Sequence, residues 1–346
     1  MPKGRIILGH GSGGKLSHDL IESLFLPLFT NPILEAGDDS AVFPLRDGYK
    51  TGQQLPKDEI AFTTDSYVVK PLFWLGGDIG RLAVCGTVND LAMVGAVPLY
   101  LSAAFVIEEG LPISSLRRVV ASMKRAAKEA RVKIVAGDTK VVERGSADGL
   151  FINTAGVGTL PMGVSISGSN AQAGDMIILS GTIGDHGIAV LSAREGLVFS
   201  NSFESDVSPL NHMVGAILRT THKVHVMRDP TRGGLATTLN EIAQQSKVTI
   251  RIIEEQIPIR EDVAAACEIL GYDPLYVANE GKVVACVAPE DAERVLQVMQ
   301  KTHYGHEAAI IGEVLPEPKG RVVMKTRIGS TRIVDMLMGE MLPRIC

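Results

Sequence analysis

The apolar run from Leu82 to Ile107 is the strongest constraint on what this chain can fold into. A run of that length invites comparison with a membrane span, which needs about 20 consecutive apolar residues. This one is interrupted: Asn89 and Asp90 stand inside it, and Gly95 and Pro98 divide it. A buried helix followed by a buried strand accounts for both the apolar character and the breaks. The spacing predicts a helix over 79–94 and a strand over 99–107. A helix buried all round needs a sheet and further helices to cover it. Strands are expected over 41–43, 60–64, 132–136 and 150–158, and amphipathic helices over 17–28 and 113–131, the latter opened by Pro112. Residues 5–8 read as a short strand or extended arm. Strands with helices on one face make α+β the expected class, ahead of a doubly wound parallel sheet.

The 346 residues exceed one ordinary core, so two domains are expected. The small, polar stretch from Gly163 to Gly174 is the natural boundary. It sets a first domain at 1–162, a second at 163–338 and a tail at 339–346. The second half reads as strands over 176–180, 248–253, 282–287, 308–314 and 322–325. Helices are expected over 184–194, 208–220, 234–245, 260–270 and 290–301. The polar loop at 46–59 is expected to be solvated and without function. Net charge is −5 with scattered lysines and arginines, which argues against nucleic acid and membrane partners. No signal peptide is expected from Met1–Leu8. The four cysteines, Cys85, Cys267, Cys286 and Cys346, form no C-x-x-C pair. Free thiols in a reducing cytoplasm fit them.

Several acids stand at the edges of apolar runs: Asp38 and Asp39 in GDDSAVF, Asp65 in FTTDS, Asp90 in TVNDLAM and Asp138 in VAGDTK. Singly, each is explained by a helix cap or a turn. Together they are the oxygen ligands that Mg²⁺ takes alongside nucleotide phosphates. Gly9–Lys15 fits G-x-x-x-x-G-K, yet Leu16 stands where a P-loop needs Ser or Thr. A flexible strip laid over phosphates and a mobile arm both remain open. Lys140 lies two residues after Asp138, on the same side of a strand, and either screens phosphate charge or forms an ion pair. Three glycine-flanked turns mark the second half: Gly184–Gly187, Arg228–Gly234 and Asn279–Lys282. The second sits at a helix start suited to anions, and Glu280 in the third is a candidate base. His222/His225 and His303/His306 have metal-like spacing without a third ligand, so solvated histidines are expected. The sequence ends on Cys346 behind Pro343, which forbids a regular helix or an inner strand. Eight extended residues span roughly 26 Å, enough to carry a mobile thiol into a neighbouring cleft.

With these residues in view, the sequence resembles the HypE family of hydrogenase maturation factors. That family falls in the PurM-like superfamily of aminoimidazole ribonucleotide synthetase, selenophosphate synthetase and thiamine monophosphate kinase. The resemblance covers essentially the whole chain. It rests on GHGSGGK, on TTDSYVVKPLFWLGGDIGRLAVCGTVNDLAMVGA, on VAGDTKVV, GTIGDHG, DPTRGGLATTLNE and DPLYVANEGK, and on the ending PRIC. It implies two α/β PurM-like domains, the first pairing through a β-barrel in a homodimer, with ATP in a groove between domains. It implies that Cys346 receives a carbamoyl group from HypF. ATP then drives dehydration of the S-carboxamide to a thiocyanate, whose cyano group passes to iron on a HypC–HypD pair. Carried onto this chain, Gly11, Gly13, Gly14 and Lys15 cover the triphosphate, with Asp65, Asn89, Asp90 and Asp138 also at the nucleotide. Asp38, Asp39, Asp65, Asp90 and Asp138 hold Mg²⁺, and Cys346, Lys140 and Glu280 carry the chemistry. A small-molecule kinase or synthetase of the same superfamily, and a non-catalytic scaffold, are the alternatives.

Overall fold

A computed structural model describes residues 6–11, 13–29, 31–44, 59–197, 203–337, 342 and 344–346. The first half carries helix α1 (Lys15–Leu20), continued through a wider turn into α2 (Leu26–Phe29), then strands β1 (Ala41–Pro44) and β2 (Glu59–Tyr67). The short strands β3 (Phe73–Trp74) and β4 (Gly77–Asp78) lead into α3 (Ile79–Met93), β5 (Val97–Glu108), α4 (Ile113–Ala130), β6 (Lys133–Val142) and β7 (Leu150–Thr159). The second half carries β8 (Met176–Leu179), α5 (Asp185–Glu195), α6 (Asn211–Leu218), β9 (Val224–Arg228), α7 (Gly234–Ser246) and β10 (Thr249–Ile253). It closes with α8 (Glu261–Leu270), β11 (Val284–Val287), α9 (Pro289–Gln300), β12 (Ala309–Leu315), β13 (Arg321–Lys325) and β14 (Thr331–Ile333). The polar loop expected to be solvated falls outside the described residues, except for Glu59.

The apolar run resolves as expected into α3 and β5. Thirteen of the fifteen residues of α3 are buried. The Asp78 side chain caps its first turn, accepting from Gly80 N at 2.8 Å and Arg81 N at 3.0 Å; such a cap satisfies N–H groups that a buried helix end cannot leave to water. Gly95 then ends the helix at φ +81, a left-handed conformation that glycine takes without steric cost.

The first sheet runs β1-β2-β7-β5-β6, antiparallel except for the β5–β6 edge pair. Helices α3 and α4 cover one face, and the other is open. The seven-stranded second sheet runs β14-β13-β10-β12-β8-β11-β9. Its strands bury both faces in alternation. Ile177 and Leu179 face the α7 side with Leu235 and Ile250, whereas Ile178 and Ala285 face Met213 and Val295 of α6 and α9. The period of two in β8 and β11 thus builds two cores from one sheet. A third core joins the halves: Leu82, Val84 and Met123 of the first share it with Ile188, Val263 and Val277 of the second.

Candidate active site at the junction of the two halves

The register of the first sheet decides which acids can meet. Asp65 pairs with Thr154, which pairs with Ala103. Thr154 and Ala103 are buried on the helix face. Asp138 pairs with Ala104, and Lys140 with Val106, one position out of step. Neighbouring strands share a face only at matched register, so Asp138 and Lys140 project from the open face. There they form the anticipated same-side pair at 2.9 Å, both well exposed. Within one chain they do not join the other acids.

The acids that converge are Asp39, Asp65, Asp90 and Asp229. Asp90 is pushed well above the ordinary carboxylate range, first by burial and then by the charges of Asp229, Asp65 and Asp39. Asp229 is raised the same way, by burial and then by Asp39. Asp39, its side chain 18% exposed, is lifted to about 6 by burial, against the lowering pull of Arg228. Thr63 donates to Asp90 at 2.9 Å. The Arg228 guanidinium lies 2.8 Å from Glu241 and 3.5 Å from Asp39. The four carboxyl groups outnumber the cations beside them. They fit a cation-bridged polyanion: Mg²⁺ keeps one or two carboxylates and takes its other oxygens from phosphates and water. Among the described residues no group of three His, Cys, Asp or Glu is set to hold a metal unaided.

Asp38 does other work. Its Oδ1 accepts from Ser167 Oγ at 3.0 Å and Gly168 N at 2.7 Å, pinning the segment that links the two sheets. Of the adjacent pair, Asp39 is the one that faces the cluster. Asn89, carried over as a nucleotide contact, spends its amide on the chain: it donates to Ser208 O at 3.0 Å and accepts from Leu210 N at 2.8 Å.

The glycine strip lies over the second half, against the turn before α7. Arg232 donates to Gly11 O at 2.6 Å. Gly13 sits at φ +76, and a Cβ there would stand 2.9 Å from Arg232 Cβ. Glycine is required at that crossing on both counts. Lys15 turns away, into a cavity of about 730 Å³ that it lines with His18, Asn240 and Arg321. It is not in the acid cluster.

The tail, expected to be mobile, is docked in its last three residues. Ile345 is 1% exposed and belongs to the same core as Tyr67, Trp74, Ile188 and Val277. Its carbonyl meets His186 Nε2 at 2.9 Å, and Cys346 O accepts from Val68 N at 3.4 Å. Arg344 pairs with Asp148 and donates to Val68 O at 3.0 Å. Pro343 lies outside the described residues; for Ile345 an apolar side chain with a hole to fill supplies the order that periodicity lacks. The Cys346 sulfur lies close enough to Arg232, Glu280 and Asp65 for each to act on it electrostatically. Burial pushes it up, Arg232 pulls it down, and Glu280 and Asp65 push it up further. Glu280 is 4% exposed. It is raised well above its ordinary value, first by burial and then by Asp229, Asp65 and Asp206. Its Oε1 is buried without a hydrogen-bond partner among the described residues.

Asp229, Arg232 and His186 were not singled out as site residues. Each lies in a glycine-flanked turn visible in the sequence, and Asp229 has the signature of the other acids: a carboxylate at the end of an apolar strand before glycines.

Residues 37–160 match the N-terminal domain of AIR synthase related proteins, and residues 172–325 the C-terminal domain. The carbamoyl dehydratase HypE of Cupriavidus necator is 51% identical over 343 residues, 99% of this chain and 95% of that protein. This chain belongs to the HypE family. A solved HypE–HypF complex matches at a TM-score of 0.85 with 51% identity, covering 92% of this chain and 99% of that one. A HypE structure in complex with ATP matches at 0.81 with 48% identity, covering 99% and 100%. The expected pair of PurM-like α/β domains is therefore present.

Proposed function

We propose that this chain is an ATP-dependent carbamoyl dehydratase of hydrogenase maturation, and that it acts on its own last residue. The observation that carries this reading is the Cys346 sulfur lying near Glu280 and Arg232, next to a cluster of half-buried carboxylates fit for a nucleotide with its cation.

The chemistry sets what the site must do. The Cys346 S-carboxamide, S–C(=O)NH₂, holds an oxygen that leaves badly. Attack of that oxygen on the γ-phosphorus breaks the bond to ADP and makes the oxygen part of a phosphate ester. Loss of the two nitrogen protons and of inorganic phosphate leaves S–C≡N. The water formally removed departs as phosphate oxygen and two protons. Glu280, held high by burial and neighbouring anions, is placed to take a proton from nitrogen. Arg232, beside the sulfur, opposes the charge that builds on the carboxamide oxygen and the transferring phosphoryl group. Ile345, buried in the core shared by the two halves, packs beside the half-buried cysteine and limits its contact with water. Asp39, Asp65, Asp90 and Asp229 would hold Mg²⁺, which supplies charge neutralisation of the triphosphate.

A second copy of the chain completes this reading. Edge strand β6 is exposed from Lys133 to Val141, and Phe62, Tyr100 and Val106 are exposed on β2 and β5. An unpaired edge with apolar neighbours is a template for pairing, and a homodimer through this sheet covers it. Asp138 and Lys140 then act from the paired face. HypF as carbamoyl donor, an iron-carrying HypC–HypD pair as acceptor and a cytoplasmic setting follow from family membership. The four free thiols accord with that compartment. No helix among the described residues is long and apolar enough to cross a membrane.

The test is the mass of the C-terminal peptide after carbamoylation by HypF. Adding ATP and Mg²⁺ is expected to remove the mass of one water. An unchanged carbamoylated mass overturns the reading, and Cys346→Ala is expected to remain unmodified throughout.

A further inference from the structure

One buried carboxylate outside the nucleotide cluster is tied to the candidate base from three directions. Asp206 Oδ1 accepts from the Glu280 backbone N–H at 3.1 Å, and Oδ2 from that of Gly281 at 3.2 Å. The Lys282 ammonium lies 3.2 Å from Oδ2, both side chains being no more than 10% exposed. Ser208 N–H, two residues on, donates to Glu280 O at 3.3 Å. The turn Asn279–Lys282 is thus bracketed on both sides of Glu280 by a single strand of chain, residues 206–208. The approach is close enough that a Cβ at Gly281 would collide with the Asp206 carbonyl oxygen, which is the physical reason for glycine in that turn.

We propose that Asp206, with Lys282 as its counter-charge, is the positioning residue that aims Glu280 at the Cys346 carboxamide and sets the pH at which Glu280 works. The inference rests on the proposed function and adds to it a residue that never touches the substrate. Among the described residues Glu280 Oε1 has no hydrogen-bond partner, so the aim of its carboxyl is set through its backbone. Asp206 holds two consecutive N–H groups of that backbone, which would otherwise be buried without partners. Its charge adds to the burial and the other anions that lift Glu280, while Lys282 opposes Asp206 from the far side. Glu280 itself faces Asp229, Asp65 and Arg232; Lys282 has Asp185 at 3.9 Å; the cavity that Asp206 and Lys282 line also holds Arg81, Glu204, His303, His306 and Glu307; and Ser205 is bonded to His186 at 2.8 Å. Through that serine the same segment reaches the histidine that holds the tail carbonyl.

The experiment is a single-turnover measurement on the full-length carbamoylated protein at saturating ATP and Mg²⁺, as a function of pH. Asp206→Asn keeps one acceptor and removes the charge. Its acid limb is expected to move down by about half a pH unit or more, with the plateau rate reduced roughly tenfold and half-saturation by ATP unchanged within about twofold. Lys282→Met is expected to move the limb up. Opposite displacements from adjacent residues cannot come from a general loss of fold, and thermal melts of both variants check that the fold persists. Unmoved limbs in both variants, with Glu280→Gln inactive, overturn the proposal and leave Glu280 as the base. Full activity of Glu280→Gln overturns the assignment of Glu280 and this proposal with it.

Discussion

Asp38 and Asp39 are chemically identical neighbours with opposite employments, and the difference is where each carboxyl points. Asp38 has two donors and holds a linker; Asp39 has anions at its back and Arg228 in front. A group whose native value is raised binds protons in the folded state that the unfolded chain has already released. Its contribution is therefore fully present below about 3.8 and is lost as pH rises through about 6. Asp39→Asn removes that loss. Relative to the parent, without nucleotide or Mg²⁺, the variant is expected to gain stability between pH 4 and 6, by up to about 2–3 kcal/mol. Paired thermal melts across that range measure it; a constant difference between the two proteins refutes it. The same substitution is expected to weaken ATP binding in Mg²⁺, read by titration. At this scale the sequence showed which acids stand at strand ends. It did not show that Asn89 is consumed by backbone or that Asp229 completes the cluster, because both depend on contacts more than a hundred residues apart.

At the scale of elements, periodicity carried nearly everything that is amphipathic or buried. Helices α3, α4, α7, α8 and α9 and most strands lie within a few residues of their expected bounds. Strand β6 continues past its expected end at Ala136, through Gly137 and Asp138 to Val142; glycine and aspartate are poor strand formers and give no sign of that continuation. Strand β9 went unread although Val224, Val226 and Met227 are buried; five residues are too few to stand out. The tail shows the opposite failure. Its order comes from one isoleucine and one arginine, which no window average registers. Arg344→Ala removes the pair with Asp148 and the bonds to Val68. Losing such partly buried, charge-assisted contacts costs about 1–2 kcal/mol, so Cys346 is expected to react with a thiol reagent roughly tenfold faster. Unchanged reactivity places the hold on the tail elsewhere.

For the molecule as a whole, the open face of the first sheet is the unfinished part. Lys140 stands on it, opposite to its own chain's acids, so any role it has in the chemistry is expected to be played in a partner's cleft. Mixing Lys140→Ala with Cys346→Ala separates the cases. Each is expected to be inactive alone, and hybrid dimers are expected to recover dehydration at the one site that combines an intact sulfur with an intact lysine. No recovery after subunit exchange excludes action across the dimer. The two-domain α+β plan was legible because both halves repeat the same grammar of strands and covering helices. The proposed pairing was suggested only by family resemblance, since an exposed edge looks in sequence like any half-buried strand.

Ile345 gives the docked tail a second meaning. The residue that delivers the reactive sulfur also plugs the core shared by both halves, so releasing the sulfur for loading unseals the molecule at its seam. Burial of an isoleucine is worth roughly 1.5–3 kcal/mol, and the protein would forfeit that whenever its end swung out. A loading enzyme that offers the isoleucine an equivalent apolar berth would make the exchange nearly neutral. One that grips only the cysteine would have to work against the protein's own closure.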